Sequence, residues 1–201
     1  MKKFAFTMLE LVFVIVVIGI ISALVIPRMD RDTLFEATNQ TLNHIKYTQH
    51  LAMTQDVYSD TDPNWFLERW KLQFYSCGGY VVYSDTNHGG GPDRNESALD
   101  PQTGKRLFTT NVCAENPLDY DKISLEKNFG ITNIGFNVAC GGQDVAFDIL
   151  GRPYGANTLN GVLKQNCDIT LTSSTGDNEI IRIHPETGYA CILNAAGNAC
   201  I

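Results

Sequence analysis

Hydrophobic and polar positions change their spacing twice along this chain. Residues 11–26 are all apolar or small, thirteen of them Leu, Ile, Val or Phe, and a single acid, Glu10, separates them from residues 6–9. The whole run is about 21 residues, which as an α-helix measures roughly 31 Å and reaches across the hydrocarbon core of a bilayer. Beyond it the spacing becomes helical and two-faced. Leu34, Thr38, Thr41, Leu42, Ile45, Gln49, Ala52 and Met53 fall within an arc of about 120°, while Arg31, Glu36, Gln40, Asn43 and Lys46 fall largely elsewhere. Pro27 lies between the two patterns, where it is expected to kink one long helix without ending it. The turn chemistry of Ser59 to Asn64, with Asp62 before Pro63, predicts that the helix has ended by Tyr58.

The second change is to a period of two. Trp70, Leu72 and Phe74 alternate with Arg69, Lys71 and Gln73, and Cys77-Gly78-Gly79 then leads into Tyr80–Tyr83, which together predict a hairpin. Residues 84–106 hold no periodicity and are read as a long exposed loop. Short apolar or alternating runs follow at residues 123–125, 131–138, 145–149, 169–172, 180–183 and 189–192, punctuated by glycines. The expected fold class is α+β: a long kinked N-terminal helix, membrane half plus amphipathic half, packed on an antiparallel β-sheet or β-sandwich. These patterns divide the chain into residues 1–27, 28–58 and 59–201, and the resemblance that follows implies a further division of the first into 1–5 and 6–27.

Charge and cysteines sharpen this picture. Lys2 and Lys3 precede the apolar run, which favours a cytoplasmic N-terminus and an exported C-terminal domain on a single-pass inner-membrane protein. All six cysteines, Cys77, Cys113, Cys140, Cys167, Cys191 and Cys200, lie in the exported part and are read as disulfides. A local Cys191–Cys200 loop is preferred, with the other four pairing among themselves. Nothing in the chain has C-x-x-C spacing, and His44, His50, His88 and His184 are not placed at metal-ligand intervals. The net charge of −7 repels polyanions at long range, leaving Lys105, Arg106 and Arg152 as the candidates for any contact with DNA. No nucleophile elbow, phosphate loop or dinucleotide fingerprint is present, so no enzyme is expected.

Glu10 is the anomaly of the apolar run, because an acid in hydrocarbon costs about 2.5 to 3.5 kcal/mol unless something pairs with it. The run FAFTMLELVFVIVVIGIISALVIP resembles the class III leader and N-terminal helix of type IV pilins and pseudopilins. The resemblance implies a cut by prepilin peptidase between Ala5 and Phe6, making Phe6 the first mature residue, Thr7 the second and Glu10 the fifth. Gly19 and Pro27 also fall where that family commonly has Gly and Pro. Ala5 departs from the Gly usual before the cut. In this family the new amino group on Phe6 is methylated, and the carboxylate of Glu10 meets the N-terminus of its own or a neighbouring subunit, which offsets the cost of desolvating either charge. Close packing between such helices is permitted by Gly19, Ser22 and Ala23.

A second resemblance covers residues 145–192. VAFDILGRPYG, CDITLTSS and EIIRIHPETGYACI look like the C-terminal half of the GspH/FimT pseudopilin family, with Gly151-Arg152-Pro153 as a rigid turn. Together the resemblances imply a minor pseudopilin or pilin subunit of a type II secretion or type IV pilus filament. Its partners would be other pilins and pseudopilins, prepilin peptidase and the inner-membrane assembly platform. A DNA-uptake minor pilin and a major pilin are the alternatives. No cofactor is expected, although calcium, which some related pseudopilins bind, has candidates in Asp85, Asp93 and Asp100.

Overall fold

The structure is a computed structural model of the chain and describes residues 7–76, 78–110, 121–155 and 158–201; the side chains of residues 22–32 and 121 fall outside the description. Its elements are α1 (Met8–Thr54), β1 (Lys71–Phe74), β2 (Tyr80–Tyr83), α2 (Leu125–Phe129), β3 (Ile131–Phe136), β4 (Asp144–Phe147), β5 (Pro153–Gly155), β6 (Cys167–Ser173), β7 (Asn178–Ile183) and β8 (Ala190–Ile192). The strands form two four-stranded antiparallel sheets, ordered β2-β1-β4-β5 and β3-β6-β7-β8.

The reading of a long kinked helix with a membrane-spanning half is corrected. α1 is one uninterrupted element through Pro27. Among the described residues no helix is long and apolar enough to cross a membrane. At its other end α1 stops at Thr54, where Gln55 turns to extended geometry and the Asp56 carboxylate accepts from the amide of Tyr58.

The second half of α1 forms the core's spine. Leu34, Ala37, Leu42, Ile45 and Ala52 are buried against residues of both sheets, among them Leu72, Phe74, Phe147, Ile169, Ile181 and Ile192. Three threonines share this face, and each satisfies its hydroxyl within the helix: Thr38 donates to the carbonyl of Leu34, Thr41 to that of Ala37, and Thr48 to that of His44. Met53, expected on the buried face, is about half exposed.

The hairpin β1–β2 is present, with Leu72 opposite Val82 and Phe74 opposite Tyr80. Its alternation, however, does not separate a wet face from a dry one. Arg69 and Lys71, expected outward, are both buried, and all four residues of β2 are too. The second cover comes from residues 97–108, of which 97–106 belong to the stretch read from sequence as an exposed loop. Ala98 and Leu107 exchange backbone bonds with Val82, and Phe108 packs with Val81 and Tyr83 in a small second core.

Two disulfides pin the β region. Cys140–Cys167 ties the turn after β3 to β6 across 27 residues, and Cys191–Cys200 closes a 9-residue separation behind β8. Cys77 and Cys113 lie outside the described residues.

Candidate functional site

Two features stand out from the packed domain, and both follow from how α1 sits. The first is the start of α1. Thr7 is its N-cap, in extended geometry, and its hydroxyl accepts from the amide of Glu10. From Met8 to Ile21 the side chains are exposed, with only Val17 partly covered, and the exposed set includes Leu9, Phe13, Ile15 and Ile18. A Cβ added to Gly19 would meet nothing within 4 Å. This is an apolar surface around the whole circumference of a helix, carried on an element whose other half is fixed in the core. Ala5 and Phe6, the expected processing site, lie outside the described residues, as do the side chains of Ser22, Ala23 and Pro27.

The second feature is a cavity of about 270 Å³ between the end of α1, the segment that follows it, and the turn from β4 to β5. The turn is built by Gly151, whose φ of +77° is open to glycine, and by Asp148. One oxygen of Asp148 accepts from the amides of Leu150 and Arg152, at 3.0 and 2.9 Å; the other accepts from Arg152 Nε at 2.7 Å and from the Tyr154 hydroxyl at 3.1 Å. Arg152, its side chain partly exposed, is held to Asp148, which raises its pKa. The guanidinium that does lie on the Tyr154 ring, at 3.9 Å, is that of Arg69. The turn is fastened to α1 by Gln49, whose amide donates to the carbonyls of Gly151 and Thr187.

The remaining candidates are dispersed. Asp85 is buried and accepts from the amides of Gly89 and Gly90; Asp93 accepts from Asn87; Asp100 accepts from the amide of Gln102 and the hydroxyl of Thr103. Each serves its own turn, and neither of the ligand clusters among the described residues contains any of them. Those clusters are Asp62, Glu68 and His88, with His88 Nε2 at 3.2 Å from Glu68 and 3.6 Å from Asp62, and His184 with Cys191 and Cys200. The sulfurs of the second are joined to each other and are not free thiolates. In the first, His88 has a φ of 54°, the left-handed geometry uncommon outside glycine. Of the cationic side chains considered for DNA, Arg106 donates to the carbonyls of Asn95 and Ser97.

Sequence reasoning missed Arg69 and Asp148. Arg69 sits four and one residues from two tryptophans, Trp65 and Trp70, an aromatic flank that suits a buried guanidinium better than a solvated one. Comparison with family models, with curated proteins and with solved structures finds no match to the chain.

Proposed function

We propose that the chain is a subunit of a pilin-like filament of the kind assembled by type II secretion or type IV pilus machines, joined to its neighbours through the first part of α1. The observation that carries this reading is the exposed apolar circumference of residues 8–21, beginning with Thr7 and Glu10, on a helix anchored by its far end in a folded domain. An apolar surface of this kind has to be covered, and like helices from neighbouring subunits cover it by close packing, with Gly19 allowing approach. Glu10 then needs a cation, which a freed and methylated amino group on Phe6 would supply. The two disulfides fit a domain working on the oxidising side of the membrane. The partners are other pilin-like subunits, prepilin peptidase and the assembly platform.

Mass spectrometry of the protein from cells with an active prepilin peptidase tests the reading. The expected mature chain begins with N-methylated Phe6, and Glu10→Val leaves the domain folded while reducing incorporation into filaments by at least about tenfold. A chain that still begins at Met1 in those cells overturns it.

A further inference from the structure

Three side chains from separate stretches of the chain converge where the segment after α1 meets the loop after β2, and subunit assembly uses none of them. Asp62 lies in the turn that follows α1, Glu68 ends the short helical turn Trp65–Glu68, and His88 lies in the loop after β2. One oxygen of Asp62 accepts from the amide of Asn64 at 2.8 Å, and the other is 3.6 Å from His88 Nε2. The same nitrogen is 3.2 Å from an oxygen of Glu68, and the three ligand atoms all lie within 4.8 Å of one another. The side chains are 26 to 34% exposed, so an ion from solvent can reach them. Hydrogen bonds on either side of His88 fix the loop: Asp85 accepts from the amides of Gly89 and Gly90, Glu96 accepts from the Thr86 hydroxyl and the Asn87 amide, and the Ser84 hydroxyl donates to the carbonyl of Glu68.

A hydrogen bond accounts for only half of this arrangement. An imidazole nitrogen carries at most one proton, so Nε2 can donate to one of the two oxygens and leaves the other unmatched. Two carboxylates this close also repel each other. A divalent cation answers all three groups at once, since two carboxylates and a neutral imidazole carry two negative charges. Zinc held tetrahedrally by nitrogen and oxygen at about 2.0 to 2.2 Å places neighbouring ligand atoms about 3.3 to 3.6 Å apart, close to the 3.2 and 3.6 Å seen here. We propose that Asp62, Glu68 and His88 bind a zinc ion, with water in the fourth position, and that the ion ties the segment after α1 to the loop after β2. Calcium does not suit the set, because it takes about six to eight oxygen ligands and no imidazole.

The full chain, without an affinity tag and in mild detergent, is freed of metal with EDTA, dialysed and titrated calorimetrically with zinc chloride and, separately, with calcium chloride near neutral pH. The expected result is one zinc ion per chain, a urea midpoint higher with zinc than with EDTA, and much weaker binding of calcium. His88→Asn keeps a residue that tolerates the φ of 54° at this position but removes the nitrogen. Glu68→Gln keeps the shape and removes the charge. Each weakens zinc by at least about tenfold, the lower end of what losing even a supporting partner of a metal ligand costs. His184→Ala, at the disulfide-bonded cluster, leaves zinc affinity unchanged. Urea melts in EDTA check that the variants are folded. Absence of saturable zinc binding, as a plain ion pair would give, calcium bound as tightly as zinc, or zinc affinity unmoved by both His88→Asn and Glu68→Gln would each overturn the proposal. None of these outcomes depends on whether the chain enters a filament.

Discussion

The two ends of α1 belong to one helix and meet opposite fates. Residues 34–52 spread apolar side chains over one face, and that face is buried on two sheets; residues 8–21 are apolar on every side, and their own domain covers almost none of them. An amphipathic stripe can be satisfied by one partner surface, whereas a circumferential one needs surroundings on all sides, from lipid or from other helices. Polar groups follow the same division. The threonines on the buried face close their hydroxyls onto the helix backbone, and at the exposed end Thr7 and Glu10 sit at the terminus.

The largest effect expected from breaking this comparison comes from placing the same charge at each end. Ile45 is fully buried and Ile15 is 61% exposed. Ile45→Asp puts an unpaired carboxylate in the core and lowers unfolding stability by about 4 kcal/mol or more. Ile15→Asp changes it by less than about 0.5 kcal/mol, because that side chain is largely exposed. Urea melts of the two variants followed by circular dichroism check this. Equal destabilisation would mean that the first half of α1 packs on the domain after all.

How far these features could be read in advance depended on whether one partner or two covered an element. The amphipathic half of α1 and the hairpin β1–β2 have local periodicity, so Leu34, Ile45, Leu72 and Phe74 were legible as core. The strand alternation then misled at Arg69 and Lys71, because residues 97–108 and the cavity's aromatic rings close over the face that a single sheet would leave wet. Lys71 manages burial by donating from Nζ to the carbonyl of Leu67 while lying 4.7 Å from the Tyr83 ring centroid. That cover is a long-range pairing without apolar periodicity of its own, which is why residues 84–106 read as a loop. The membrane half is a different case: an apolar run marks what must be covered, and does not say what covers it.

A smaller effect is expected where the buried end of α1 is gripped from outside the core. Gln49 holds the Gly151 turn and the turn at Thr187-Gly188 together against the helix. Gly188 has a φ of +64°, and a Cβ there would collide with the carbonyl of Gly151 and sit 3.1 Å from the Phe147 ring. Gly188→Ala therefore combines left-handed strain with overpacking against backbone and costs about 2 to 3 kcal/mol, read as a lower urea midpoint at unchanged slope. Gly19→Ala, at the exposed end, meets nothing within 4 Å and gains helix propensity, so stability holds or rises by at most about 1 kcal/mol.

The smallest effect is a pH dependence confined to the buried half. His44 lies on that face with Nδ1 2.6 Å from the Tyr80 hydroxyl. Burial lowers its pKa below the usual 6.5, and the charge of Asp100 opposes that only in part. The folded state therefore keeps His44 neutral where the unfolded chain begins to take up a proton. With more protons bound in the unfolded state, stability is unaffected by this group well above pH 6.5. It falls as the pH drops through 6.5 toward the lower folded-state value, at up to about 1.4 kcal/mol per pH unit for one proton. His44→Gln keeps a hydrogen-bonding side chain for Tyr80 but cannot titrate. Urea melts between pH 8 and 5.5 should show the wild-type losing stability more steeply than this variant below pH 6.5, with parallel behaviour above it. Identical profiles throughout would show that His44 charges as readily in the folded chain as in the unfolded one, and that the buried half of α1 is open to water at this point.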